Sequence, residues 1–486
     1  MTILDELKRQ TEYKPGRTFL TTDDRVYSYK EFYRCSASFA GYLREIYHVQ
    51  PGQRIVLCFP NEADYLVAYF AVWMLEAIVV PVDFDCKGHF LRQILQDAEP
   101  ALFIHNRQRS FDEICESVPI LPFPNPTDYM NRTLQEDWKL SSSMPALIMY
   151  TSGTTAMPKG VVLSHGNIMF TTRRIIEWAD MASTDRELTA LRLTHSFGLG
   201  HVHCYVMLGA ELVLIDSVRE PQRLFEYMNK YRVTGMPATP ALIRMLVEYY
   251  RNDLIKLQDQ LHYIVINTAP IDVNLLYQLL ELLPRTRIYM YYGLTEASRS
   301  TYIAYRKHLD KLASVGRPPQ GVEVRLDPGN REIQIRGNNV MLGYLNHQDS
   351  FLPDGWFGTG DIGRFDEEGF LYIEGRLKEQ INVDGLKINP AEVENVIRKH
   401  IAVEDCAVFG VSDMLTFEKV VAVVVCREGY TLDFALSGEI KRMCKHELEF
   451  YKIPRMIQQW TAVPRTDTGK LKRQQAKALW EKGEKL

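Results

Sequence analysis

Short apolar runs separated by segments of helical period set the strongest limit on how this chain can fold. The runs Arg54–Phe59, Ile78–Val82, Ala101–Ile104, Ala146–Tyr150, Glu211–Ile215, Tyr263–Ile266 and Arg287–Tyr291 are each of strand length. Between them lie segments whose apolar residues recur every three to four positions, such as Asn167–Trp178, Gln222–Tyr231 and Thr239–Arg251. That alternation predicts an α/β fold whose mostly parallel strands are covered by helices on both faces. A chain of 486 residues exceeds what one hydrophobic core organises, so two large domains or three sub-domains are expected.

The most apolar stretch, Leu66 to Val82, is interrupted by Glu76 and contains Pro81. It divides into a buried helix (Leu66–Leu75) and a buried strand (Ile78–Val82), each too short to cross a bilayer, so no membrane span is expected. From Val322 the texture changes: Val322–Leu326, Glu332–Ile335 and Phe370–Glu374 read as short strands of a small antiparallel β sub-domain. A second change follows Gly375-Arg-Leu-Lys378. Beyond it, a helix (Pro390–His400), two strands (Asp405–Val411, Val420–Cys426), a helix (Ser437–Leu448) and a basic tail make an α+β unit of about 110 residues. The expected domains are 1–377 and 378–486. A net charge of −4 gives no footprint for nucleic acid. Eight scattered cysteines without a CxxC, and a polar N-terminus without an apolar leader, predict reduced thiols in a cytoplasmic protein.

The segment Tyr150-Thr-Ser-Gly-Thr-Thr-Ala-Met-Pro-Lys-Gly160 follows a predicted buried strand and precedes a predicted helix. Glycines and hydroxyl side chains at a strand exit let backbone N–H groups and hydroxyls converge on one anion, and Lys159 adds a cation. No GKS or GKT closes it, so it is not a Walker A loop. The segment closely resembles the signature of the adenylate-forming superfamily, which holds acyl- and aryl-CoA ligases, peptide-synthetase adenylation domains and firefly-type luciferases. Ala156 stands where that family usually has Gly, which stiffens the loop but removes no phosphate-binding group.

The resemblance extends in order along the chain, and it implies a large N-terminal domain with a small mobile C-terminal domain. In the phosphate loop it assigns Thr151, Ser152, Gly153, Thr154, Thr155 and Lys159 to nucleotide binding. In Tyr292-Gly-Leu-Thr-Glu296 it implies that Tyr292 stacks on adenine beside Ala269, that Thr295 bonds the α-phosphate and that Glu296 ligates Mg²⁺. A carboxylate suits that role, because Mg²⁺ bound to phosphates is a hard cation held by one or two protein carboxylates. Trp356-Phe-Gly-Thr-Gly-Asp361 resembles the element whose Asp bonds both ribose hydroxyls. In Gly375-Arg-Leu-Lys-Glu-Gln-Ile381, Arg376 matches a ribose or phosphate contact and Lys378 the pivot between domains. Asn382-Val-Asp-Gly-Leu-Lys387 resembles the loop lining a thiol tunnel, with Asp384 and Gly385 at its centre. Pro464-Arg-Thr-Asp-Thr-Gly-Lys470 matches the catalytic-lysine motif. Read without the resemblance, Lys470 is one cation of a solvated basic tail with Arg465, Lys472, Arg473 and Lys477.

Thr194-His-Ser-Phe-Gly198 resembles the aromatic segment at the acyl pocket, with His195, Phe197 and Gly198 as substrate contacts and His195 also catalytic. Leu294, Asn267 and Thr268 complete that pocket by the same resemblance. Many relatives with long acyl chains have two glycines where Asn267 and Thr268 stand, so the expectation is a short or aromatic acid with a polar group for Asn267 to bond, the alternative being an exposed Asn267 that points away from the pocket. A metal reading of His195, His201 and His203 lacks a fourth ligand, and strand alternation would place His201 and His203 on one face.

The implied activity is ATP- and Mg²⁺-dependent activation of a carboxylic acid as an acyl-adenylate, followed by transfer to a thiol of coenzyme A or of an acyl or peptidyl carrier protein. Two alternatives are a stand-alone adenylation enzyme that loads only a carrier protein and a non-catalytic nucleotide-binding scaffold. The scaffold predicts loss of a charged site residue, yet Glu296, Asp361, Arg376, Lys378 and Lys470 are all present. An amino-acid activator places an Asp near Phe197, where this chain has Ser196, Gly198 and Leu199.

Overall fold

A computed structural model describes residues 1–86, 88–108, 111, 118–134, 138–151, 158–217, 220–267, 271–347, 350–383, 386–413, 417–466 and 469–486. These residues form two compact units, one of 1–267, 271–324 and 335–357, the other of 325–334 and 358–486.

Two large sheets organise the first unit. One runs in the order 343–344, 159–164, 145–151, 78–83, 54–59, 102–105, 120–122. Its central strands are parallel, and 159–164 turns back antiparallel on 145–151. The other runs 301–304, 287–292, 263–266, 235–238, 186–189, 211–214, 18–21, 26–28, parallel throughout except at its two outermost pairs. The α/β architecture expected from the alternating runs is present. The strands 186–189 and 235–238 went unread because the short segments Arg-Glu-Leu-Thr and Gly-Met-Pro-Ala carry no apolar run long enough to stand out.

The apolar stretch from Leu66 to Val82 divides at Glu76. Helix Ala63–Met74 is buried from Tyr65 to Met74, Glu76 reverses the chain with φ +55°, and strand Ile78–Asp83 follows. Among the described residues no helix is long and apolar enough to cross a membrane. The helical segment expected over Thr239–Arg251 is helix Pro240–Tyr249, and beyond a break at Tyr250 a second helix, Arg251–Lys256, follows.

In the second unit, strand 371–376 pairs antiparallel with 357–365. Strands 381–383, 386–388, 403–413, 417–426 and 456–460 form a further sheet, against which helices Pro390–Ile397 and Phe434–Glu447 bury an aliphatic face. The basic tail is a solvated face only in part: Lys470 and Lys472 are exposed, while other cations are paired. Arg473 is bound by buried Glu394 and by Glu379, Arg465 makes a bidentate pair with Asp405, and Lys477 lies 3.3 Å from Glu418.

Candidate active site

In the first unit the predicted groups gather where strands end, the usual place for ligands in open α/β sheets. Thr151 and Lys159 are opposite each other at the mouth of the hairpin formed by 145–151 and 159–164. Ser152, Gly153, Thr154 and Thr155 lie outside the described residues. Gly160 lets strands pack closely: a Cβ there would stand 3.0 Å from Ile148 and 3.1 Å from the Tyr150 ring. The strand Gly343–Tyr344 joins on its far side, with Leu345 N–H donating to Gly160 O at 2.7 Å. This places the Lys159 ammonium 4.9 Å from the centre of the Tyr344 ring, and the Tyr344 hydroxyl donates to Glu296 Oε1 at 3.0 Å. Burial first, then the neighbouring Glu296, pushes the Tyr344 phenol far above its ordinary range, so it remains a donor.

Glu296 sits on a tight turn. Leu294 and Ala297 exchange backbone hydrogen bonds at 3.1 and 3.2 Å, which projects Thr295 and Glu296 from the end of strand 287–292. Gly293 has no room for a side chain, since a Cβ would meet Arg299 N at 2.5 Å. Tyr292 closes the strand and Leu294 opens the turn. Asn267, at the end of the neighbouring strand, donates its amide to Tyr291 O at 2.7 Å, so that amide nitrogen is committed to the sheet. Thr268 and Ala269 lie outside the described residues.

His195 caps helix Ser196–Leu208 and is half exposed. Its Nε2 lies 3.5 Å from Asp83 Oδ2, at the end of strand 78–83, while the Thr194 hydroxyl donates to Asp83 Oδ1 and Arg192 lies 3.3 Å from Oδ2. Burial opposes ionisation of Asp83, but His195, Thr194 and Arg192 together outweigh it and hold the carboxyl down at about 2. Phe197 is buried against the rings of His201 and Tyr291, and Gly198 packs on Arg192 O, which a Cβ would approach to 2.6 Å.

His201 and His203 do not share a face, contrary to the strand reading. They lie on the helix, where residues two apart point in different directions. His201 Nδ1 binds buried Glu187 at 2.9 Å, whereas His203 bonds Tyr69 at 3.1 Å and stacks on Trp73.

In the second unit Asp361 and Arg376 are cross-strand partners, and Arg376 Nε lies 2.7 Å from Asp361 Oδ1. Lys378 is exposed on the single turn Leu377–Glu379 that follows. Lys470 is exposed on a loop closed by Thr466 N–H to Lys470 O at 2.8 Å and by Arg465 to Gly469 O at 2.7 Å. Gly469, at φ +83°, makes that closure without strain. Asp384 and Gly385 lie outside the described residues.

Sequence reading missed Tyr344 and Asp83. Tyr344 lies in no quoted motif and reaches Glu296 only through the sheet. Asp83 carried a signal, an acid at the carboxyl end of an apolar strand.

A model of the AMP-binding enzyme family matches residues 7–345, and that of the AMP-binding enzyme C-terminal domain matches 392–470. A feruloyl-CoA synthase from an Amycolatopsis species is 30% identical across 95% of this chain and 96% of its own. The indoleacetate–CoA ligase of Aromatoleum aromaticum is 29% identical across 99% and 98%. Among solved structures, the o-succinylbenzoate CoA synthetase of Bacillus subtilis, in complex with its acyl-adenylate intermediate, superposes with a TM-score of 0.86 at 26% identity, covering 97% of both chains. Fold and relatives together define an adenylate-forming ligase of an acid and a thiol, dependent on ATP and Mg²⁺. The chain belongs to the AMP-binding enzyme family.

Proposed function

We propose that this chain joins a short or aromatic carboxylic acid to the thiol of coenzyme A in the cytoplasm, through an acyl-adenylate and with release of AMP and pyrophosphate. The observation that carries the reading is the string Lys159–Tyr344–Glu296, which sets an ammonium and a carboxylate beside the mouth of the phosphate loop. That donor set fits a phosphate chain and its hard metal ion. Glu296 would hold the Mg²⁺, which when bound would supply charge neutralisation for the phosphates.

The chain's own groups bind and align. The hydroxyls and N–H groups of 151–155 hold phosphates, Thr295 bonds the α-phosphate, Tyr292 and Ala269 flank adenine, and Asp361, held by Arg376, accepts from the ribose hydroxyls. His195, Phe197, Gly198, Leu294, Asn267 and Thr268 line the acid. A carboxylate oxygen attacks the α-phosphorus as pyrophosphate departs. Lys470 bridges the two as negative charge builds between them, so catalysis is positioning and charge compensation. The thiol then displaces AMP. We place the boundary between working domains at residue 377, with Lys378 as the pivot that exchanges Lys470 for the Asp384–Gly385 thiol passage.

The size assignment rests on the residue types at 267 and 268, Asn and Thr where relatives with long acyl chains have glycines. The acids in the relatives' names run from feruloyl, indoleacetate and 2-succinylbenzoate, all built on rings, to oxalate and a long-chain fatty acid, so the relatives leave the acid's size open. Acid-dependent exchange of labelled pyrophosphate into ATP, measured over aliphatic and aryl acids, tests the reading. Exchange and a coenzyme A thioester are expected with small or aryl acids. A preference for acids of about twelve carbons or more would reject the size assignment.

A further inference from the structure

Arg299 is 4% exposed, yet no carboxylate lies within ion-pair distance of it among the described residues. Its backbone has φ +57°, a conformation unfavourable for a long side chain. One Nη donates to Ser196 O at 2.7 Å, the other to Ser298 Oγ, and the guanidinium carbon lies 5.3 Å from the centre of the Tyr291 ring. Its Nε has no partner. Asn339, 1% exposed, spends its amide nitrogen on Ser298 O and Ser300 Oγ and leaves Oδ1 without a partner. Both orphaned atoms belong to residues lining one cavity, together with Ser196, Gly200 and His203.

A buried cation with a left-handed backbone and an unused donor is costly, and it calls for a partner that the protein's own groups do not supply. The cavity is about 30 Å³, against about 10–15 Å³ for a single water, so it admits two waters or one carboxylate-sized group. It adjoins the assigned acid wall, since Ser196 and Leu199 line it on either side of Phe197 and Gly198. Ser196 precedes Phe197, the Phe197 ring packs on Tyr291, and Tyr291 O holds Asn267. Gly200 makes the arrangement possible, because a Cβ there would stand 2.0 Å from an Arg299 Nη.

We propose that Arg299 is the specificity-determining residue for the acid, and that the acid bears a second carboxylate, remote from the reacting one, which docks on this guanidinium. The inference rests on the acid-ligase reading above. It is tested by pyrophosphate exchange with matched pairs in which a methyl replaces the distal carboxylate: succinate with butyrate, glutarate with valerate, adipate with hexanoate, and phthalate with 2-methylbenzoate. For at least one pair, wild type is expected to favour the diacid by roughly 10²-fold or more in kcat/KM, because a site built to bond a charged group rejects the analogue that leaves it unpaired. Arg299→Met is expected to bring that ratio within about tenfold of unity, and Arg299→Lys to restore part of it. Gly200→Ala, which crowds the guanidinium without removing the charge, is expected to erode the same ratio in a chain whose cation remains. A wild type that favours the monoacid of every pair overturns the inference and leaves the ligase reading standing. So does an Arg299→Met that lowers both members of a pair equally while still binding ATP, which would mark a structural arginine. Absence of exchange with every acid tried rejects the short-acid assignment, and the inference with it.

Discussion

The Tyr344 hydroxyl donates to Glu296 at 3.0 Å while its ring lies 4.9 Å from the Lys159 ammonium, so one side chain couples the two charged groups assigned to the phosphates. The three residues are far apart in sequence and meet because strand 343–344 pairs with 159–164 while Met341 N–H reaches Glu296 O at 2.8 Å.

Tyr344→Phe keeps the ring over Lys159 and removes only the hydrogen bond to Glu296. A hydrogen bond to a carboxylate contributes about 1.5–3 kcal/mol, and part of that is recovered by water at this half-buried site. The Mg²⁺ concentration for half-maximal pyrophosphate exchange is expected to rise on the order of tenfold, with the urea midpoint little changed. An unaltered Mg²⁺ dependence would show that Tyr344 does not hold the metal's carboxylate.

Lys470→Ala is expected to slow acyl-adenylate formation by on the order of 10²–10⁴, a loss of roughly 3–5 kcal/mol of transition-state stabilisation. Thioester formation from pre-made acyl-AMP should survive in that variant. The opposite pattern is expected of Gly385→Leu, whose side chain would fill a passage for a narrow thiol arm. Equal loss of both half-reactions in Lys470→Ala contradicts the division of labour between these loops.

Much of this was legible before the structure because backbone-determined features leave local traces. Strands Arg54–Phe59, Tyr263–Ile266 and Val322–Leu326 have the expected bounds, since each is a compact apolar or alternating run between turn residues. The helix Ser196–Leu208 was misread at His201 and His203 because nearly all of it is buried, which erases the one-sided pattern that marks a surface helix. The motifs named Glu296, Asp361 and Arg376, but the partners that orient them come from other segments. No spacing rule in one sequence joins Tyr344 to Glu296, or Asp83 to His195. Arg299 was legible only as a charge three residues beyond a motif. That it is buried without a counter-charge is a fact of packing.

Two buried histidines should make stability depend on pH. Burial lowers His165 to about 4, which Asp5 only partly opposes, and lowers His203 to about 3, with Arg299 and His165 adding to the effect. Unfolded histidine takes up its proton near 6.5. The unfolded chain therefore binds more protons as pH falls, so this contribution is complete above about 6.5 and is lost progressively towards 4. Each histidine contributes a slope of up to about 1.4 kcal/mol per pH unit in that window. Urea midpoints are expected to fall from pH 7 to pH 5, and His165→Leu to flatten the fall. A slope unchanged in that variant would place the proton uptake elsewhere.

Asp83 supplies the last prediction. Its carboxylate accepts from Thr194 and lies against His195 and Arg192, so it fixes the entry to the helix that carries Phe197 and Gly198. Asn61 pins the same loop independently, donating to Leu191 O at 2.8 Å and accepting from Leu193 N–H at 3.0 Å, so the chain path should survive loss of Asp83. Asp83→Ala leaves Thr194 and His195 without their acceptor, and charge-assisted bonds of this kind contribute about 1.5–3 kcal/mol. With the carboxyl held near 2, Asp83 is ionised throughout the range in which the enzyme would be assayed, so its charge is present at every working pH. The KM for the acid is expected to rise by roughly tenfold or more in Asp83→Ala while the KM for ATP stays close to wild type. Asp83→Asn, which retains an acceptor for Thr194, should lose less. A uniform fall in both parameters with a lowered urea midpoint would make Asp83 a strut of the fold, with no part in orienting His195.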